Sequence, residues 1–121
     1  MTVYNTANQL AREIKNSDEY TEYQKVREKI LEDEDSKAML KDYMQKQMEI
    51  QQKKMTDQEV AKEDEEELER LKNLVDLNSD VKEYLQAEYR LSVMLNDLQK
   101  NLFGDLEIGV LDEEDMKGKN N

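Results

Sequence analysis

A chain of 121 residues with 36% hydrophobic and 40% charged side chains has material for one lean domain. Its 30 acidic against 18 basic residues leave a net charge of −12, a field that repels nucleic-acid phosphate and anionic membrane surfaces, which need concentrated Lys and Arg. With no cysteine and no histidine, it has no ligands or bases for disulfides, iron–sulfur clusters, thiolate zinc, His-based triads or imidazole catalysis.

Zero proline, three glycines and abundant Glu, Lys, Gln, Leu and Met favour helix, and periodicity separates folded helix from disorder. In residues 3–16, Val3, Ala7, Leu10, Ala11 and Ile14 fall in one narrow stripe at helical spacing. Asn16-Ser17-Asp18 supplies capping oxygens for a second helix over about 18–32, with Tyr20, Tyr23, Val26, Ile30 and Leu31 on its apolar face. The acidic stretch Glu32-Asp33-Glu34-Asp35-Ser36 suits the positive N-terminal end of a third helix beginning near Ser36.

That third helix, about 36–55, carries Met39, Tyr43 and Ile50 on one edge and Leu40, Met44, Met48 and Met55 on another. The stripe is wider than a singly packed helix needs, so contact with more than one neighbour is expected. Thr56-Asp57-Gln58-Glu59 has the form of a capping box and marks a helix–helix connection without Gly or Pro. The fourth segment opens on the acidic run 62–67, expected to face water, and becomes apolar at Leu68, Leu71, Leu74 and Val75. Asn78-Ser79-Asp80 then repeats the earlier boundary chemistry, read as a second good N-cap, with a duplicated half-domain as the other reading.

The last helix carries Val81, Tyr84, Leu85, Leu91, Met94, Leu95, Leu98 and Leu102 and, as the most apolar element, is expected to be central. The expected fold is all-α: about five helices with a long antiparallel helical hairpin, forming an oligomeric bundle. Residues 1–104 form its single helical domain, and residues 105–121 a flexible acidic C-terminal tail. Met1-Thr2-Val3-Tyr4-Asn5 shows no signal-peptide pattern, and no apolar run approaches the roughly 18 residues of a membrane span, so a cytoplasmic location is expected.

Thirty carboxylates place some pairs at helical spacing by chance, so acid/base catalysis cannot be read from their number. Carboxylate di-metal bundles need Glu-x-x-His pairs, which a histidine-free chain lacks. No enzyme activity, metal or cofactor is expected. The run 62–67 reads as a solvated face rather than a cation site, since calcium loops alternate their ligands around a glycine turn. Glu88 falls within the apolar arc of the last helix and is expected to be buried, accepting a hydrogen bond from Arg12, Arg27, Tyr20 or Tyr23 of another helix. Leu40, Met44, Met48 and Met55, with Leu91, Met94, Leu95 and Leu98, are the candidate interface residues. Flexible methionines fill irregular cores and also line adaptable binding surfaces, so core packing stays open for the first group.

Ser17-Asp18-Glu19-Tyr20-Thr21-Glu22-Tyr23, the Gln-rich Gln45-Lys46-Gln47-Met48-Glu49-Ile50-Gln51, and Tyr84-Leu85-Gln86-Ala87-Glu88-Tyr89-Arg90-Leu91 ahead of Met94-Leu95 together resemble the YlbF/YmcA family of small helical bacterial proteins, closest to its YheA-type branch. The resemblance covers about residues 1–104. It implies a self-associating helical fold in a cytoplasmic Gram-positive setting. It also implies regulatory work through protein complexes, touching competence, sporulation, biofilm formation and RNA maturation. Some relatives are associated with cysteine-bound iron–sulfur clusters, a cofactor that a cysteine-free chain cannot take over.

The expected function is therefore a non-enzymatic regulatory adaptor. It would act as a homo-oligomer, a dimer or higher, and engage heterologous protein partners without direct nucleic-acid or membrane binding. A purely structural self-assembling protein is the alternative. An acidic mimic of nucleic acid, whose complexes would weaken with salt, is a third reading.

Overall fold

The computed structural model describes residues 2–110. These form five helices and no strand: α1 (Thr2–Lys15), α2 (Asp18–Glu32), α3 (Glu34–Met55), α4 (Lys62–Asp76) and α5 (Ser79–Phe103). Residues 105–110 are exposed and non-helical. The rest of the expected flexible tail, residues 111–121, lies outside the described residues.

Boundary chemistry sets these elements. Ser17 caps α2 by accepting from the Tyr20 N–H, and Asn78 caps α5 by accepting from the Val81 N–H. The two Asn-Ser-Asp tripeptides thus work one residue out of register, the serine capping in one and the asparagine in the other, as independent uses of capping chemistry rather than superposable copies. Asp33 caps α3, accepting from the Asp35 N–H and from the Ser36 hydroxyl. Asn78 Nδ2 donates to the buried Ser36 Oγ over 3.0 Å, so the starts of α3 and α5, distant in sequence, are tied by one polar relay.

Two antiparallel pairs make up the fold. Along α2 and α5, Lys29 meets Glu83 at 3.7 Å, the Tyr23 and Tyr84 rings lie 5.6 Å apart, and Glu19 borders the same cleft as Met94. Helices α3 and α4 form the expected hairpin, with Asp64 reaching back to Lys53 and Lys46 while Val75, further along, joins Leu40 in the core. The core gathers Val26 and Ile30 from α2, Leu40 from α3, Val75 from α4 and Val81, Tyr84 and Ala87 from α5. Helix α1 packs only against α2 and buries no side chain.

The hairpin turn differs from its expected chemistry. Thr56 does not open α4: it ends α3, its hydroxyl donating back to the Gln52 carbonyl, and Asp57 then takes a left-handed φ of 57° to reverse the chain. Helix α4 starts at Lys62, where the Asp64 carboxylate accepts from the Ala61 N–H at 3.3 Å. Asp64 is also the exception to an acidic run that faces water, because it is buried and bound by Lys53 Nζ at 2.6 Å and Lys46 Nζ at 2.8 Å.

Those two bonds, led by that from Lys46, hold the Asp64 carboxyl down at about 2, against an ordinary 3.8, and the same contacts raise both lysines. A carboxyl depressed in the folded state contributes stability that is complete above its unfolded value and lost as pH falls through the folded one. The raised lysines contribute below about 10.5 and lose it as pH rises beyond. Wild type should therefore lose denaturation midpoint more steeply than Asp64→Asn between about pH 4 and pH 2, in urea titrations followed by circular dichroism. Parallel pH profiles would show that the cluster adds nothing to stability.

Candidate functional site

Among the large apolar side chains that the fold leaves exposed, two groups stand out. The first is the second half of α5. Its opening turns are central, with Val81, Tyr84 and Ala87 buried, but past Glu88 no residue of the helix is. Leu91, Met94 and Leu98 are half-buried, while Val93, Leu95, Leu102 and Phe103 are exposed, Leu95 at 43%. The expectation of a central last helix thus holds only for its first half, because α2 begins at Asp18, opposite the middle of α5, and no other helix among the described residues continues the pairing. The second region is on the hairpin, where Met48 and Met55, 61% and 75% exposed, sit seven residues apart on one face of α3. Ile50, on the opposite side, is buried.

The eight candidate interface residues are divided accordingly. Leu40 is a correction: it is buried within the chain's own core and has no surface to offer. Met44 is half-buried against the same core. Met48 and Met55 are exposed, and Leu91, Met94, Leu95 and Leu98 form the partly covered edge of α5. One helical stripe on α3 therefore starts as core and ends as surface, because the core stops where α3 outruns α2 and α5.

Glu88 is half-buried rather than buried, and its donor is none of the four expected residues. Tyr84, one turn earlier on α5, donates to Glu88 Oε2 at 3.1 Å. Tyr84 has one hydroxyl proton, so at the 3.3 Å contact between the two phenols Tyr23 is the donor, giving a relay from Tyr23 through Tyr84 to Glu88 across α2 and α5. Burial first, then the bond with Tyr23 and the Glu88 charge, push the Tyr84 hydroxyl above the ordinary tyrosine range. A tyrosine four residues before a carboxylate on one helix was the available sequence signal.

Among the described residues, no three carboxylates converge as a metal site. Tyr43, Lys72, Asp76, Lys82, Tyr89 and Arg90, with Val75, Leu85 and Gln86, line an open groove of about 620 Å³ that mixes cations, phenols and one carboxylate. No helix among the described residues is long and apolar enough to cross a membrane.

Residues 3–107 match the family described as "Control of competence regulator ComK, YlbF/YmcA". A UPF0342 protein of Halothermothrix orenii is 52% identical over 114 residues, covering 94% of this chain and 97% of the relative. The UPF0342 protein DSY2926 of Desulfitobacterium hafniense is 43% identical over 111 residues, covering 92% and 89%. Among solved structures, a protein of unknown function (DUF964) from Bacillus stearothermophilus superposes with a TM-score of 0.74 at 17% identity, over 86% of this chain and 91% of that one, a likeness of fold.

Proposed function

The chain belongs to the YlbF/YmcA family, and from that premise we propose that it is a non-enzymatic, self-associating regulatory adaptor that works by holding other proteins, with the YheA-type branch as its nearest kin. The observation that carries this reading is the exposure of large apolar side chains on the second half of α5 and on the hairpin, while among the described residues no cluster of carboxylates could hold a metal ion. Met48 and Met55 present flexible thioethers on the far half of the hairpin, a surface suited to adapt to a partner's side chains. The surrounding acidic field keeps the chain soluble and disfavours acidic competitors. Regulation of the kind associated with the family, in competence, sporulation, biofilm formation or RNA maturation, is the setting we infer.

The test is capture of the tagged chain from its native cells at moderate salt, beside a Met48→Lys/Met55→Lys variant. Both positions are exposed, so the variant should keep its helicity and its own assembly. Proteins that co-purify with wild type and vanish with the variant are the expected result. A defined homo-oligomer and nothing else would favour the structural alternative, and partners lost steeply as salt rises would favour the acidic mimic.

A further inference from the structure

We propose that the groove between α3, α4 and the first half of α5 is a docking site for a short acidic peptide of a partner protein, one with an apolar side chain between two carboxylates. This rests on the adaptor reading and deepens it, by naming the chemistry of one segment that the adaptor holds.

The floor of the groove is set by the core. Val75 is buried, Leu85 and Tyr43 pack half-buried against the same cluster, and Gln47 donates to the Tyr43 hydroxyl at 3.0 Å, which holds that ring in place. Around the floor stand three exposed cations, Lys72 of α4 and Lys82 and Arg90 of α5. Among the described residues, none of the three closes an ion pair or a side-chain hydrogen bond, whereas Lys29, Lys46, Lys53, Lys62 and Arg70 all have carboxylate partners. Asp76 is the one carboxylate in the lining, so on a chain of −12 the sign of the charge reverses here. Of the carboxylates beside lining residues in sequence, Glu83 is engaged by Lys29 at 3.7 Å and Asp42 lies in the field of Arg70. Arg90 also borders a cleft with Asp18, Glu19 and Glu22 on its other side.

Spacing and charge select the occupant. Lys82, Gln86 and Arg90 follow one another at four-residue steps along one face of α5, so the two cations stand about 12 Å apart along the helix. An extended peptide rises about 3.3 Å per residue and turns alternate side chains to one face, so carboxylates four residues apart lie about 13 Å from each other, with the residue midway on the same side. Those carboxylates meet Lys82 and Arg90, Lys72 adds a third cation from the opposite wall, and Gln86 is left for the peptide backbone. The midway side chain covers Leu85 and rests on the ring of Tyr89, which is 70% exposed. A long polyanion leaves the basic patch and meets the acidic remainder of the chain, whereas a segment of about five residues stays inside it. Near physiological salt the screening length is about 8 Å, so the distant acid fades while these close contacts persist.

The probe is a set of fluorescein-labelled heptapeptides with glutamate at the second and sixth positions and leucine, phenylalanine, tyrosine or methionine at the centre. The whole chain is titrated into each at about 0.15 M salt, and binding is followed by anisotropy. At least one peptide should bind saturably, and its glutamine analogue at least about 10-fold more weakly. Lys72→Glu/Lys82→Glu, both at exposed positions, should weaken binding at least about 10-fold with helicity unchanged. Should that variant lose helicity, Lys82→Ala should still weaken binding about 3-fold. Tyr89→Ala should cost about 3- to 10-fold, and Met48→Lys/Met55→Lys should leave the affinity as it was.

No binding by any peptide of the set, or binding that ignores the loss of the glutamates or of the lysines, overturns the proposal. Displacement by inorganic phosphate as readily as by unlabelled peptide also overturns it, by showing a site for small anions. Binding that appears only once Asp112, Glu113, Glu114 and Asp115 are changed to their amides overturns it too, by assigning the groove to the chain's own acidic segment. Failure of the peptides while partners still co-purify through Met48 and Met55 leaves the adaptor reading standing. Peptide binding without any captured partner would instead count against the adaptor reading alone.

Discussion

Val81→Asp should abolish the fold. Val81 is fully buried, 0% exposed, at the start of α5 where that helix meets the clustered apolar side chains of α2, α3 and α4. Aspartate there sheds its hydration without gaining a donor, because the nearby Asn78 side chain already accepts from the residue 81 N–H and donates to Ser36. An unpaired buried charge costs more than about 4 kcal/mol, most of what a small domain has in total. Far-UV circular dichroism at 25 °C should show helicity largely lost, with no cooperative thermal transition. A native-like spectrum and midpoint would mean that the cluster around Val81 is not what holds the helices together.

Leu71→Ala should be the next most damaging and should act on a different part of the molecule. Leu71 is buried on α4, in the hairpin and outside the main cluster, one helical turn before Val75 of that cluster. Truncating a buried leucine costs about 2–5 kcal/mol, depending on how far the site collapses. The far half of α3 and α4 packs on itself, so the loss should be local. Amide hydrogen exchange should quicken over residues 46–71, while the amides around Val26, Val81 and Tyr84 keep most of their protection. Equal acceleration throughout would show that hairpin and core unfold as one unit.

Much of this architecture is legible before any coordinates. Ser17, Asp33 and Asn78 announce helix starts because their side chains satisfy backbone donors that a new helix leaves free, and the apolar spacing that follows each gives its length. Thr56 misleads for the same reason in reverse. A Thr-x-x-Glu pattern fits a capping box, but a reversal here needs the left-handed Asp57 and several further residues before α4 can begin. Asp64 was hidden in a run of similar carboxylates, and the signal that separates it lies on another helix: Lys46 and Lys53, seven residues apart, share one face of α3.

The interaction surfaces are the least legible part. Leu40 and Leu95 look alike in a helical pattern, since both sit on apolar stripes; one is core and the other open because only part of each long helix has a neighbour. Periodicity records that a face is to be buried, not what buries it.

Solution mass, measured by light scattering on the untagged chain over a wide concentration range, bears most directly on whether this protein completes itself with a second copy. Twice 14.4 kDa, retained at high salt where the repulsion between acidic chains is screened, is the expected value. A mass of 14.4 kDa at every concentration would contradict it.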